Sequence, residues 1–180
     1  MSYHPIKDLS LLWILILATI AAIGVLAQQP DPYKELTEQH GAEMKEVIEH
    51  FEKTMLSVER HIDPRVIAQV AAGEYFDRLI EARCWDCERV QVATGVGVSR
   101  LLVLSYSPTS SRVQARVEYG WKMVSPHSRV ALTRCHAQAF TTVYELARHN
   151  DVWKVIDEEA VNPDREDESP GLRARYCNPG

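Results

Sequence analysis

The hydrophobic pattern of the chain passes through three successive regimes. It opens on an unbroken apolar run, Leu9–Ala27 (LSLLWILILATIAAIGVLA), which carries no charge. At about 1.5 Å per residue it gives about 28 Å of helix, close to the hydrocarbon thickness of a bilayer. Trp13 suits an interfacial position, and Gln28-Gln29-Pro30-Asp31-Pro32 returns the chain to water. The run predicts a transmembrane signal-anchor over 9–27, with residues 1–8 before it and a juxtamembrane linker or helix over 28–42. A cleaved signal peptide is the alternative, because Val25-Leu26-Ala27 offers small or modest residues before Gln28 and would release a secreted domain.

The second period is helical. Met44, Val47, Ile48, Phe51, Met55, Val58 and Ile62 recur three or four apart among Glu, Lys and Arg, predicting an amphipathic helix that the stretch Tyr33–His40 extends, with Gly41 weakening the join. Asp63-Pro64 starts a second helix with Val66, Ile67, Val70, Ala71, Phe76, Leu79 and Ile80 on its apolar face. Glu74, Asp77 and Glu81 share another face, which reads as solvated because Arg78 and Arg83 lie beside it.

The third period is two. Val90, Val92, Thr94, Val96 and Val98 alternate with Gln91, Ala93, Gly95 and Gly97, and the two glycines predict a bulge or the close approach of another element. Pro108-Thr109-Ser110 separates that strand from SRVQARVEYGWKMV, whose Val113, Ala115, Val117, Tyr119, Trp121 and Met123 form one buried face. A long strand from Arg129, a His149-Asn150-Asp151 turn and a strand with Trp153 and Val155 facing together close the pattern as a hairpin. Residues 162–180 read as a flexible tail unless Cys177 ties it down. The expected fold is α+β: a transmembrane helix, then two amphipathic helices packed on a strongly bent, cone-like antiparallel sheet over 43–161.

Composition narrows the function. At 46% hydrophobic and 25% charged, the 180-residue chain is globular, and a net charge of −5 without a compact Lys/Arg cluster excludes a nucleic-acid partner. There is no P-loop, dinucleotide fingerprint, HExxH or GxSxG, and no cofactor is expected. Four cysteines, Cys84, Cys87, Cys135 and Cys177, follow an export-type segment and place the domain outside the cytoplasm.

The stretch RCWDCER holds a CxxC at a predicted helix C-terminus, where the dipole disfavours the thiolate that redox catalysis needs. A zinc set of Cys84, Cys87, Cys135 and His136 or Cys177 fails because adjacent strand residues point to opposite faces and no second CxxC exists, so no metal is expected. Disulfides remain. A bridge from Cys84 to Cys87 is worth about 2 kcal/mol and one from Cys135 to Cys177 about 4, while a crossed pairing of Cys135 with Cys84 or Cys87 stays open. For a pocket inside the cone, Tyr119, Trp121, His136, Gln138 and Tyr144 supply aromatic and polar groups, without an identified carboxylate partner for His136.

The two helices, the long strands and the closing hairpin TTVYELARHNDVWKVID resemble the cone-shaped nuclear transport factor 2-like superfamily over roughly residues 43–161. Membrane-attached domains of similar layout include components of type IV secretion, mycobacterial lipid import and chloroplast division. The resemblance implies a non-enzymatic interaction or assembly module of an envelope complex, contacting the bilayer through 9–27, with protein partners or copies of itself. A small-ligand-binding or isomerase-like domain is the alternative, because the superfamily also contains steroid isomerases, SnoaL-type cyclases and dehydratases.

Overall fold

In the computed structural model, which describes residues 31–56, 64–81, 90–125, 128, 130–161 and 170–177, a helical layer lies on one face of a four-stranded sheet. The chain divides into the units Met1–Pro32 and Tyr33–Gly180; all but the last two residues of the first, including the run 9–27, lie outside the described residues. So do Cys84 and Cys87.

Helix α1 (Pro32–Leu56) runs through Gly41 without a break and buries Gly41, Met44, Ile48, Phe51 and Glu52. A methyl group on Gly41 would stand 3.5 Å from Leu101 of the sheet, so the small residue lets helix and strand approach. The region expected to form one second helix forms two, α2 (Pro64–Val70) and α3 (Gly73–Glu81). The break follows from Gly73, whose φ of 65° no helix interior accepts, and from Ala71 and Ala72, which leave the helix to meet the sheet. Ala72 N–H donates to Val155 O at 3.0 Å. The buried positions are Ile67, Val70, Ala71 and Tyr75, whereas Val66, expected on the apolar face, is exposed.

Strands β1 (Val90–Tyr106), β2 (Ser110–Val124), β3 (His136–His149) and β4 (Val152–Ala160) form an antiparallel meander in the order β1-β2-β3-β4. Register shifts at Ala93/Gly95, Val98/Arg100 and Val103/Ser105 bend β1, in keeping with the expectation drawn from its glycines. Two of the bulges meet α1: Val98 N–H donates to Glu49 Oε1 at 2.9 Å and Val103 N–H to Thr37 Oγ1 at 2.9 Å. The helix thereby occupies donors that an edge strand would otherwise offer to another chain. Ala71 and Ala72 play the same part against β4. The core between the layers is built from Met44, Ile48, Phe51, Ile67, Val103, Val113, Val117, Tyr144, Leu146 and Val155.

The β3–β4 hairpin turns on Asn150 (φ 51°) and Asp151 (φ 62°), both left-handed, as the twist of a two-residue loop requires. Asp151→Gly removes the side chain that opposes this conformation and should stabilise the fold by about 0.5 kcal/mol, read as a rise in the urea midpoint.

The tail is not loose over its last described part. Helix α4 (Pro170–Cys177) docks on the sheet face opposite α1, where Leu172 packs on Ala137 and Ala139 and a disulfide joins Cys135 to Cys177. Tyr176 lies across Gly95, Gly97 and Gly120; a methyl on Gly120 would come within 2.7 Å of its carbonyl oxygen. The outer face of β2, expected to be wet, is therefore buried at Glu118 and Gly120, and Arg175 donates to Glu118 Oε2 at 2.8 Å.

These findings correct the expected fold. The α+β class and the antiparallel sheet stand, but three helices rather than two cover one face and a fourth covers the other. Among the described residues no helix is long and apolar enough to cross a membrane. The longest, α1, alternates its apolar positions with Lys, Glu and His along its whole length.

Candidate functional site

The residues singled out for a pocket do not converge. His136 and Tyr144 share the inner face of β3, but eight residues of extended chain separate them by about 27 Å. At the far end, Trp121 pairs with His136 and their rings stack at 4.8 Å, with Trp121 Nε1 buried and without a hydrogen-bond partner. Gln138 lies opposite Tyr119, whose ring meets Phe140 edge-on at 5.6 Å. Of the five, Tyr144 alone takes part in the cavity chemistry described next.

A cavity of about 360 Å³ opens between the C-terminal half of α1, helix α3, the middle of β3 and the C-terminal end of β4. Phe51, Glu52 and Met55 come from α1, Tyr75 and Leu79 from α3, Phe140 and Thr142 from β3, and Glu158 and Ala160 from β4. Phe51, Glu52, Tyr75 and Thr142 are buried and make its floor; Glu158 and Ala160 are exposed and stand at its mouth. Among the described residues, no Lys, Arg or His lines it.

Each acidic group arrives by a local feature of the chain. Glu52 continues the stripe Met44–Ile48 by one more step of four, so a carboxyl occupies an apolar position of α1. Only 6% of Glu52 is exposed, and Tyr144 Oη–H donates to its Oε1 at 2.6 Å. Glu158 depends on a bulge. Glu145 pairs with Asp157 but Leu146 with Val155, so Ile156 has no partner and the phase of β4 reverses after it. Trp153 and Val155 face the core before the bulge; Glu158 and Ala160 face the cavity after it. Glu158 then lies directly opposite Tyr144 in the ladder.

The electrostatics follow from burial. Desolvation pushes the Glu52 carboxyl up to about 7, against the lowering effect of the Tyr144 hydrogen bond, and the neighbouring Glu158 raises it further. Burial also raises Glu158, with Tyr75 lowering it, Asp157 raising it and Arg78 lowering it. Tyr144 and Tyr75 are both raised, first by burial and then by these carboxylates. The Tyr75 hydroxyl, in a side chain only 5% exposed, has no hydrogen-bond partner of ordinary length, and the carboxylates of Glu158 and Glu52 are the anions acting on it. Arg78 pairs with Asp157 outside the cavity, with both side chains at least half exposed.

Chemically the site offers two carboxyl groups of unequal burial, one phenol held by the deeper carboxylate, a second phenol beside the shallower one, and walls of Phe51, Phe140, Met55 and Leu79. Among the described residues no group of three or more His, Cys, Asp or Glu is placed to hold a metal ion. Glu52, Tyr75 and Glu158 were not among the residues expected from the sequence. A carboxylate on an otherwise apolar helical stripe was the available signal for Glu52. No comparable signal marked Glu158, because an alternation carried through from Trp153 points it outwards.

No family model matches the chain, and no curated protein sequence matches it. Among solved structures, the chain is similar to the crystal structure of the intermembrane space region of the chloroplast protein ARC6. The two share 14% identity over 73% of this chain and 98% of that one, at a TM-score of 0.45, too low to carry an inference about this chain.

Proposed function

We propose that this domain is a non-enzymatic, extracytoplasmic binding module of the nuclear transport factor 2-like type, and that its recognition site is the cavity between α1, α3, the middle of β3 and the end of β4. One observation carries the reading: an apolar-walled cavity of about 360 Å³, open at one end, whose buried floor holds polar groups, Glu52 and the Tyr75 hydroxyl among them. Ligand pockets have this construction, with apolar walls for affinity and a few placed polar groups for orientation, and this volume falls at the small end of their range. The Cys135–Cys177 disulfide supports an oxidising compartment.

An assembly role working through the sheet edges has less behind it. Thr37 and Glu49 occupy N–H groups of β1, and Ala71–Ala72 lies along β4, so strand addition is obstructed at both edges. The carboxylates of this cavity stand beside Tyr144 and Tyr75, while the His136 ring stacks on Trp121, so the isomerase-like alternative does not draw on this cavity.

The reading is tested by screening small aromatic fragments with ligand-observed NMR against the native protein and Ala160→Phe. Residue 160 is exposed at the mouth, so a phenyl ring there obstructs entry without disturbing the core. Fragments with Kd of about 1 mM or tighter are expected for the native protein and should be lost in the variant. Binding by neither protein, or equally by both, overturns the assignment.

A further inference from the structure

Among the described residues, three aromatic rings line the cavity, Phe51, Tyr75 and Phe140, together with two carboxyl groups, Glu52 and Glu158, and no basic side chain; the Arg78 guanidinium stands 5.3 Å from the Tyr75 ring centroid, outside that lining. Aromatic faces carry negative quadrupole density and attract cations, most strongly where water is excluded. The deeper carboxylate has one oxygen engaged by Tyr144, and no described lining residue is a cation. The Tyr75 hydroxyl, in a side chain only 5% exposed, lies beside Glu158 without a hydrogen bond of ordinary length. Buried carboxylates in proteins are ordinarily paired, and none of the described lining residues supplies a cationic partner. A divalent metal would need more ligands than the described residues bring together. An anionic ligand would meet two like charges.

We infer that the cavity takes a small organic monocation, a protonated amine on an apolar or aromatic body, with its ammonium between Glu52, Glu158 and the Tyr75 hydroxyl and its body against Phe51 and Phe140. This deepens the ligand-pocket proposal and rests on it. The ammonium supplies the hydrogen-bond donors and the charge that the acidic floor lacks; the apolar walls take the remainder.

The inference carries a pH dependence. The groups facing Glu52 are Tyr144 from β3, Glu158 from β4 and Tyr75 from α3, while Arg78 and Asp157 act on Glu158 from outside. An alkylamine stays protonated at pH 8, as lysine does. Between pH 8 and pH 5.5 the Glu52 carboxyl, titrating at about 7, takes up a proton and ceases to attract the ligand. Amine affinity should fall about 30-fold over that interval.

Calorimetric or NMR titration with phenethylamine, its neutral isostere 2-phenylethanol and the anion 3-phenylpropionate separates the possibilities. Phenethylamine is expected to bind at least about 10-fold more tightly than the alcohol at pH 8, and the propionate most weakly. Glu52→Gln and, independently, Glu158→Gln at the exposed mouth should each reduce the preference for amine over alcohol. If the alcohol or the propionate binds as tightly as the amine, the ammonium assignment is wrong while the ligand pocket stands. If none of the three binds and the aromatic fragments also fail, the pocket reading falls with it.

Discussion

Replacing Cys135 and Cys177 together by alanine should lower the unfolding free energy by about 4 kcal/mol. The bridge spans 42 residues of sequence, and the loop-closure entropy it removes from the unfolded chain has that magnitude. The native side of the balance points the same way. Without the bridge, α4 is held by Leu172 against Ala137 and Ala139, by Tyr176 across three glycines, by the Thr94 hydroxyl donating to Tyr176 O at 2.7 Å, and by the Tyr176 hydroxyl and Arg175 on Glu118, the Arg175 side chain being 62% exposed. Those contacts are too few to keep eight residues ordered against the entropy they lose. Undocking would also leave Glu118 on the outer face of β2 without those partners. For a domain of this size the urea midpoint should drop by about 2 M, and reduction of the native protein should reproduce the shift. A drop below about 0.5 M would show that packing alone holds the helix.

Much of this architecture is legible in the alternation of the chain, and what is not has identifiable causes. The helical stripe Met44–Ile48–Phe51, the strand Val113–Val117 and the two-residue turn at Asn150-Asp151 are read directly from period and turn chemistry, because burial on one face leaves one solution for each. The split between α2 and α3 is hidden because Ala71 and Ala72 continue the helical spacing up to a single glycine. The docking of α4 is half-visible: Gly95 and Gly97 mark a place of close approach, and Cys177 a tether, but nothing local says that Tyr176 is what approaches. The cavity is the least visible element. It joins α1 and α3 to a β3–β4 hairpin far away in sequence, and the bulge at Ile156, which turns Glu158 inward, arises from pairing with β3 and not from the sequence of β4. Along β3 the expected His136, Gln138 and Tyr144 bracket the cavity-lining Phe140 and Thr142 without lining the cavity themselves.

Glu52→Gln should stabilise the protein at pH 8 and do the reverse at pH 4. The folded-state carboxyl titrates at about 7 against 4.5 for an unperturbed glutamate, so the folded chain binds the proton more tightly than the unfolded chain. Below pH 4.5 both states are protonated and the full stability is present. Between 4.5 and 7 the unfolded chain releases the proton while the folded chain keeps it, and stability falls by about 3 kcal/mol; above 7 it levels off. Glu158, raised in the same direction, adds to the fall.

Glutamine has no charge to desolvate and still accepts from Tyr144 through its carbonyl oxygen, but its amide N–H groups enter a floor that offers few acceptors, at a cost of about 1 kcal/mol. The variant should therefore be about 2 kcal/mol more stable than the native protein at pH 8 and about 1 kcal/mol less stable at pH 4. Urea unfolding at pH 4, 6 and 8 measures the crossing. A variant less stable than the native protein at every pH would mean that the Glu52 carboxylate is fully compensated in the native fold and needs no cation. A crossing, with phenethylamine raising the stability of the native protein at pH 8 more than that of the variant, would show that this buried acid costs the empty domain stability that its ligand restores.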